Sequence, residues 1–275
     1  VPSGSTLRGL NGAVIRIADA VVPPENRVRR ALGPVYASLL NVLSGGRGIP
    51  AEINGQVFRI HPRCRWMAES PYEREVADYL SARISAGQTC FNVGANTGIY
   101  VLQIARWSGP DGQVVAFEPN PATLRMLRDH ITMNGLDPRV TVVPKGVGAR
   151  AGNAELYDTT AGSGLSRFGG PNPGNISLAS TTVALTTIDD YCRETGLVPD
   201  WMLIDVEGYE FEVLQGAADT LRRHAPRVIV EMHPRLLSAE SRAAGERLLA
   251  QLGLTALTIG DVAGRPELFV SLERR

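Results

Sequence analysis

TCFNVGANTG, residues 89–98, is the stretch around which the chain is organised. A short apolar run ends in a glycine-punctuated turn, and Ile99, Tyr100, Leu102, Ile104 and Ala105 then recur at helical spacing. The pattern reads as buried strand, tight turn, helix. Glycine at such a turn lets the backbone approach a ligand closely, and the helix N-terminus offers N–H donors. This suits a nucleotide-like or carboxylate-bearing cofactor. A dinucleotide fingerprint requires G-x-G-x-x-G, but here Gly94 and Gly98 flank Ala95-Asn96-Thr97. The middle glycine is missing, so a ligand without a pyrophosphate fits better.

Outward from this loop, strand and helix patterns alternate. Strands are predicted at 113–117, 140–143, 155–157, 182–185, 201–206, 227–230, 254–259 and 267–272. Helices are predicted at 70–84, opened by Ser70-Pro71, and at 121–133, 188–193, 209–223 and 239–252. A Gly/Ser/Pro/Asn-rich loop covers 162–175. Such alternation implies an α/β fold with a mostly parallel sheet covered on both faces, here closed by a C-terminal antiparallel hairpin. Upstream lie helical patterns at 12–22 and 27–43, the second containing Pro34, and an Asn54-Gly55 hairpin signal within 51–60. The expected organisation is an N-terminal helical and hairpin extension over 1–68 and a cofactor-binding domain over 69–275. Residues 1–5 read as a tag remnant.

The 275 residues are 44% hydrophobic and 20% charged, enough for a full core. Net charge is zero, which argues against nucleic acid as a partner. Cys64, Cys90 and Cys192 are widely spaced and show neither metal nor disulfide spacing, and neither a signal peptide nor an apolar run of transmembrane length is seen. A cytoplasmic protein is expected. The N-terminal helices are expected to pack on the main domain; a homodimer surface, a substrate lid and, given Arg27, Arg29 and Arg30, a membrane-surface helix are the alternatives.

In an open sheet the ligand lies beyond the strand C-termini. Residues 92–96 stand there after the first strand. Glu118-Pro119-Asn120 follow the second, with Glu118 twenty residues beyond Gly98, where an acidic residue accepts bonds from ribose hydroxyls. Gly146 and Val147 follow the third and leave room for a flat adenine. Asp205, Glu207 and Glu210 follow the fourth, and Glu231 and His233 the fifth. Each also has a plain structural role open to it. Asp205 or Glu207 can cap the next helix, Glu210 can pair with Arg222 or Arg223, His233 can be a satisfied loop histidine, and Lys145 can be a solvated rim residue.

GANTG, AFEPNP, TTIDDY, IDVEGYEFEVLQGA and VIVEMHP together resemble the FkbM family of S-adenosylmethionine-dependent methyltransferases, over roughly 69–231. The resemblance implies a Rossmann-like class I sheet of seven strands with the last antiparallel. It also implies methyl transfer, usually to oxygen, on small molecules or sugars of secondary metabolism or cell-surface glycans. On this basis Gly94, Ala95, Asn96 and Gly98 hold the methionine portion and Glu118 the ribose diol. Pro119 and Asn120 shape the adenosine side, and Gly146 and Val147 lie against adenine. Asp205 faces the methionine amino group or the reacting centre, and Glu207 or His233 is the general base, oriented by Glu231. Asp205, Glu207, Glu231 and His233 could instead hold a divalent ion, but no spacing fixes one and no metal ligand is assigned. Asn92 and Leu203 depart from the family, which usually has aspartate and often lysine there. A cofactor-binding protein without turnover and a nicotinamide-dependent oxidoreductase are the competing readings; the missing glycine opposes the second.

Overall fold

The structure, a computed structural model, describes residues 27–68, 72–158, 166–168, 180–234, 236–237, 239–261 and 268–274. The expected helix at 12–22, the Ser70-Pro71 helix start and most of the 162–175 loop lie outside them. The chain divides into two compact units, Val1–Arg74 with Asp129–Leu136, and Glu75–Arg128 with Asp137–Arg275.

In the first unit, helix α1 (Arg27–Leu43) runs as one element through Pro34. It buries Ala37 and Leu40 and leaves Val35, Leu39 and Val42 exposed. Strands β1 (Ile49–Ile53) and β2 (Gln56–Ile60) pair antiparallel, and a 3-10 helix, Pro62–Ala68, follows. Their connection is Asn54-Gly55, and both residues have positive φ, 47° and 80°. Two successive left-handed residues give the turn whose twist matches a hairpin. Asn134 accepts from the Arg59 N–H at 2.9 Å and donates to the Arg59 carbonyl at 2.7 Å, so residues 129–136 extend this unit like a partner to its edge.

The second unit is built on a seven-stranded sheet. Its strands are β3 (Thr89–Val93), β4 (Gln113–Phe117), β5 (Val140–Val143), β10 (Trp201–Ile204), β11 (Arg227–Met232), β12 (Leu254–Asp261) and β13 (Leu268–Arg274). The order is β12-β13-β11-β10-β3-β4-β5. Strands β11, β10, β3, β4 and β5 are parallel, and β13 pairs antiparallel with both β11 and β12. The expected Rossmann-like sheet with a closing antiparallel hairpin is therefore present. All four residues of β10 are buried, as a strand covered on both faces requires. Phe91, Phe117 and Tyr191 meet edge to face at 5.0–5.7 Å between ring centres and anchor one face.

Several boundaries differ from the sequence expectation. Helix α2 is Arg74–Ser81 rather than 70–84, because Glu73 at φ 43° interrupts the helical backbone just before it. Glu231 lies inside β11, not after it. The strands around 155 and 183 do not join the main sheet. Strands β6 (Gly146–Val147), β7 (Gly152–Asp158), β8 (Ser166–Arg167) and β9 (Ser180–Thr186) form a second sheet in the order β6-β9-β7-β8. Helices α3 (Ile99–Trp107) and α4 (Pro121–Met133) follow β3 and β4.

The expected helix at 209–223 is two helices, α6 (Glu210–Gln215) and α7 (Ala218–His224). The break is at Gly216, where a Cβ would lie 2.0 Å from the Gly148 carbonyl oxygen. The Gly216 carbonyl leaves the helical ladder to accept from Asp189 N–H at 3.0 Å. The Asp189 carboxylate in turn accepts from the N–H groups of Asp219 and Thr220 and from the Thr220 hydroxyl. Asp189 belongs to α5 (Ile188–Thr195), whose own start is capped by the Thr187 hydroxyl. TTIDDY is thus a structural clamp between two helix N-termini.

Candidate functional site

The strand order reverses between β3 and β10: β4 and β5 extend one way from β3, β10 and β11 the other. The loops leaving their C-terminal ends flank the crevice where an open sheet places its ligand. They are the glycine loop and residues 205–209, and they touch through backbone. A Cβ on Gly94 would stand 1.8 Å from the Asp205 carbonyl oxygen, and Gly94 has φ 82°. Only glycine satisfies both conditions. Gly94→Ala is expected to destabilise the protein by at least about 2 kcal/mol, from left-handed strain plus overlap, and to displace Asp205. Thermal unfolding checks it; an unchanged melting temperature contradicts this packing.

The loop's N–H groups are largely spent within the protein. Gly94 and Ala95 both donate to the Phe117 carbonyl, at 3.0 and 2.9 Å, and Asn96 donates to Glu118 Oε2 at 2.7 Å. The expectation of free donors at this turn is corrected for these three. What the loop offers a ligand is shape, together with Asn92. That side chain is 2% exposed and its Oδ1 has no hydrogen-bond partner among the described residues. A buried acceptor left unpaired costs about 1–3 kcal/mol until a donor reaches it.

Glu118 holds two backbone segments at once. Oε2 accepts from Asn96 and Oε1 from Asn120 N–H at 2.8 Å. Burial pushes its pKa above the ordinary glutamate range, partly offset by those bonds and one from the Thr123 side chain. Asn120 itself turns away: its Oδ1 accepts from Ala122 N–H at 2.8 Å and opens α4.

One pocket joins these parts. Val93, Gly94, Asn96, Phe117, Glu118 and Pro119 line one side, Lys145, Gly146 and Val147 the next, and Asp205, Val206 and Glu207 the third. Leu156 and Phe168 of the second sheet and its adjoining loop complete it. A Cβ on Gly146 would meet Phe168 Cζ and Leu185 Cδ2 at 2.7 Å. Asn92, Ala95, Gly98, Asn120, Glu231 and His233 do not line this pocket. The sequence does not point to Leu156 or Phe168, since neither follows a strand of the main sheet; both reach the pocket through the second sheet and its adjoining loop.

Behind Asp205 and Glu207 stands a buried acidic cluster around His233. Glu207 has φ 52° and Gly208 φ 96°, a double left-handed turn directly after β10. Glu210 is fully buried, and its Oε1 accepts from Gly208 N–H at 2.8 Å and lies 2.7 Å from His233 Nδ1. His233 Nε2 lies 3.7 Å from Glu207 Oε2, 3.9 Å from Asp205 Oδ1 and 3.7 Å from Glu231 Oε1. Burial alone would lower the His233 pKa; the Glu210 bond and the charges of Asp205, Glu210 and Glu207 override it and raise it to about 9. The imidazolium is then the counter-charge of the carboxylates. Asp205, Glu231 and His233 also offer donor atoms within 4.8 Å of one another, a spacing a cation accepts.

Two expectations are corrected by this geometry. Glu210 pairs with His233 and not with Arg222 or Arg223; Arg222 pairs with Asp219 at 3.2 Å. The group on His233 Nδ1 is Glu210, whereas Glu231 faces Nε2.

Comparison with known proteins adds the family. The methyltransferase FkbM domain matches residues 92–252. The hexuronic acid methyltransferase AglP of Haloferax volcanii is 28% identical over 166 residues, 58% of this chain and 62% of that protein. The arginine N(omega)-methyltransferase of Streptomyces achromogenes subsp. streptozoticus is 26% identical over 138 residues, 49% of this chain and 38% of that protein. The matches thus span less than two thirds of either relative's length. The crystal structure of methyltransferase FkbM from Methylobacillus flagellatus KT superposes with a TM-score of 0.51 at 17% identity, covering 70% of this chain and 44% of that one, and so shares the fold. The chain belongs to the FkbM methyltransferase family.

Proposed function

We propose that this protein is an S-adenosylmethionine-dependent methyltransferase acting on a hydroxyl of a small molecule or sugar. The observation that carries the reading is one pocket with a buried glutamate at the end of β4 and a carboxylate pair at the end of β10, either side of the switch point. The residues present suit the cofactor. Glu118 offers carboxylate lone pairs to the ribose diol, and the Gly146 wall with Val147, Leu156 and Phe168 suits a flat apolar ring. The unpaired Asn92 Oδ1 suits the methionine ammonium, with Asp205 as its anionic neighbour across the crevice. Pro119 shapes the adenosine side.

The cofactor supplies an electrophilic methyl on a sulfonium, so the protein has mainly to align the partners and receive a proton. Glu207 lines the pocket and takes that proton as the acceptor oxygen bonds to the methyl carbon. S-adenosylmethionine, when bound, would supply the methyl group and its sulfur would keep the electron pair of the broken carbon–sulfur bond. His233 is 4% exposed and stands behind this wall. A nitrogen acceptor is the second reading, favoured by the acidic wall of Asp205 and Glu207, which suits a cationic substrate.

No helix among the described residues is long and apolar enough to cross a membrane.

The test has two steps. Calorimetry with S-adenosylmethionine and NAD side by side should show binding of the first alone. Mass spectrometry then follows label from methyl-labelled S-adenosylmethionine into a panel of hexoses, hexuronic acids and arginine. Binding of NAD instead, or binding of S-adenosylmethionine without transfer to any acceptor class, would count against the reading.

A further inference from the structure

Glu210 is the most deeply buried member of the acidic cluster and does not line the pocket. A fully buried carboxylate needs strong partners to persist. Its Oε1 has two of them, from different parts of the fold. One is the N–H of Gly208, the second left-handed residue of the turn that carries Glu207; the other is Nδ1 of His233, just past β11. A carboxylate only accepts, so Nδ1 carries the proton. The ring plane is thereby fixed and Nε2 is turned to Asp205, Glu207 and Glu231. These side chains, from the loop after β10 and from β11, together with Glu210 from α6, are the charged groups facing the ring among the described residues. Three carboxylates converging on one nitrogen repel one another, and a charged ring within 4 Å of all three offsets that repulsion.

We propose that Glu210 and His233 act as a positioning dyad: Glu210 ties the Glu207–Gly208 turn to the imidazole, and Nε2 of that imidazole orients the Glu207 side chain toward the acceptor. The proposal rests on the reading of Glu207 as the proton acceptor. Neither residue of the dyad touches the substrate. The charged ring that the surrounding carboxylates favour is the form with a proton on both nitrogens, which the arrangement requires.

The experiment uses the full chain with 15N-labelled histidine, whose four residues are few enough to follow singly. In the wild type, His233 should titrate well above the ordinary histidine range and keep its proton on Nδ1 when neutral. Glu210→Gln should lower that midpoint by about 1 pH unit or more and mix the tautomers. With the acceptor identified by the labelled panel, the same variant should lose about 30-fold in kcat while its calorimetric affinity for S-adenosylmethionine stays within about 2-fold. Its high-pH limb should move to lower pH, and Glu210→Asp should recover part of the rate. An unmoved His233 midpoint in Glu210→Gln overturns the dyad, as does loss of kcat and cofactor affinity in the same proportion with a lowered melting temperature. Loss of wild-type transfer on EDTA, restored by Mg2+, also overturns it, because a cation would then hold the carboxylates. Absence of transfer by the wild type counts against the methyltransferase reading instead, while the histidine titration still decides whether Glu210 sets the ring.

Discussion

Glu118→Ala is expected to weaken S-adenosylmethionine binding by about 100-fold or more and to lower the melting temperature by several degrees. Two losses combine. The ribose diol loses a charge-assisted acceptor, worth about 1.5–3 kcal/mol. The N–H groups of Asn96 and Asn120 lose their acceptor as well, at about 1–3 kcal/mol for a buried donor left unpaired. Because Asn96 belongs to the glycine loop, the cofactor cradle loosens together with the ribose contact. Part of the stability loss is returned, since the alanine variant no longer buries a charge. Glu118→Gln should bind with intermediate affinity: its single carbonyl oxygen can serve one N–H, and its amide faces the other. The pH dependence follows from the raised pKa of Glu118. As pH falls through that value, one oxygen becomes a donor, so affinity should drop at a higher pH than an exposed glutamate would give. For stability the sign is opposite. A carboxyl whose folded pKa lies above its unfolded value favours the fold below the unfolded value and loses that contribution as pH rises through the folded one. The glutamine variant, which never ionises, should therefore lack this loss. Calorimetry and thermal scans across pH check both parts; wild-type affinity in Glu118→Ala removes the ribose assignment.

The parts legible in the sequence were those with local causes. The parallel sheet could be read because the inner strands are short apolar runs separated by helical patterns. The loop 89–98 could be read because its glycines mark positive φ, and the Asn54-Gly55 hairpin because both residues favour it. The second sheet could not, since β7 and β9 have the same local pattern as strands of the main sheet and only long-range pairing separates them. The break at Gly216 depends on Gly148 and Asp189, distant in sequence. The Glu210–His233 contact spans 23 positions, while Arg222 and Arg223 were the nearer cations. The consumption of the loop's donors by Phe117 and Glu118 likewise needed the neighbouring strand end. Asn92 departs from the family's usual aspartate, yet the structure gives it a buried, unpaired acceptor oxygen at the strand end where the aspartate would stand. An amide there keeps the acceptor and removes the charge, which leaves Asp205, across the crevice, as the anionic group assigned to the proposed ammonium.

Glu207→Gln should reduce kcat by about 100-fold or more while leaving the affinity for S-adenosylmethionine nearly unchanged, because a positioned base contributes about 10²–10⁴-fold. Glutamine keeps the size of the side chain and its pocket surface but cannot take the acceptor's proton. A drop in kcat without a rise in KM places the lost interaction in the transition state. Asp205→Asn, which retains the Asp205 N–H bond to Val93 and only neutralises the side chain, should act mainly on cofactor affinity. The backbone supplies a sharper discrimination. Glutamate at φ 52° carries a steric cost of about 1–2 kcal/mol that glycine does not. Glu207→Gly should therefore melt no lower than the wild type, and turn over no better than Glu207→Gln. That pairing of retained stability with lost activity is what strain kept for chemistry predicts, with Gly208 secured by Glu210. Full turnover in Glu207→Gln would remove Glu207 as the base. A large fall in the melting temperature of Glu207→Gly would show instead that the side chain is there to hold the loop.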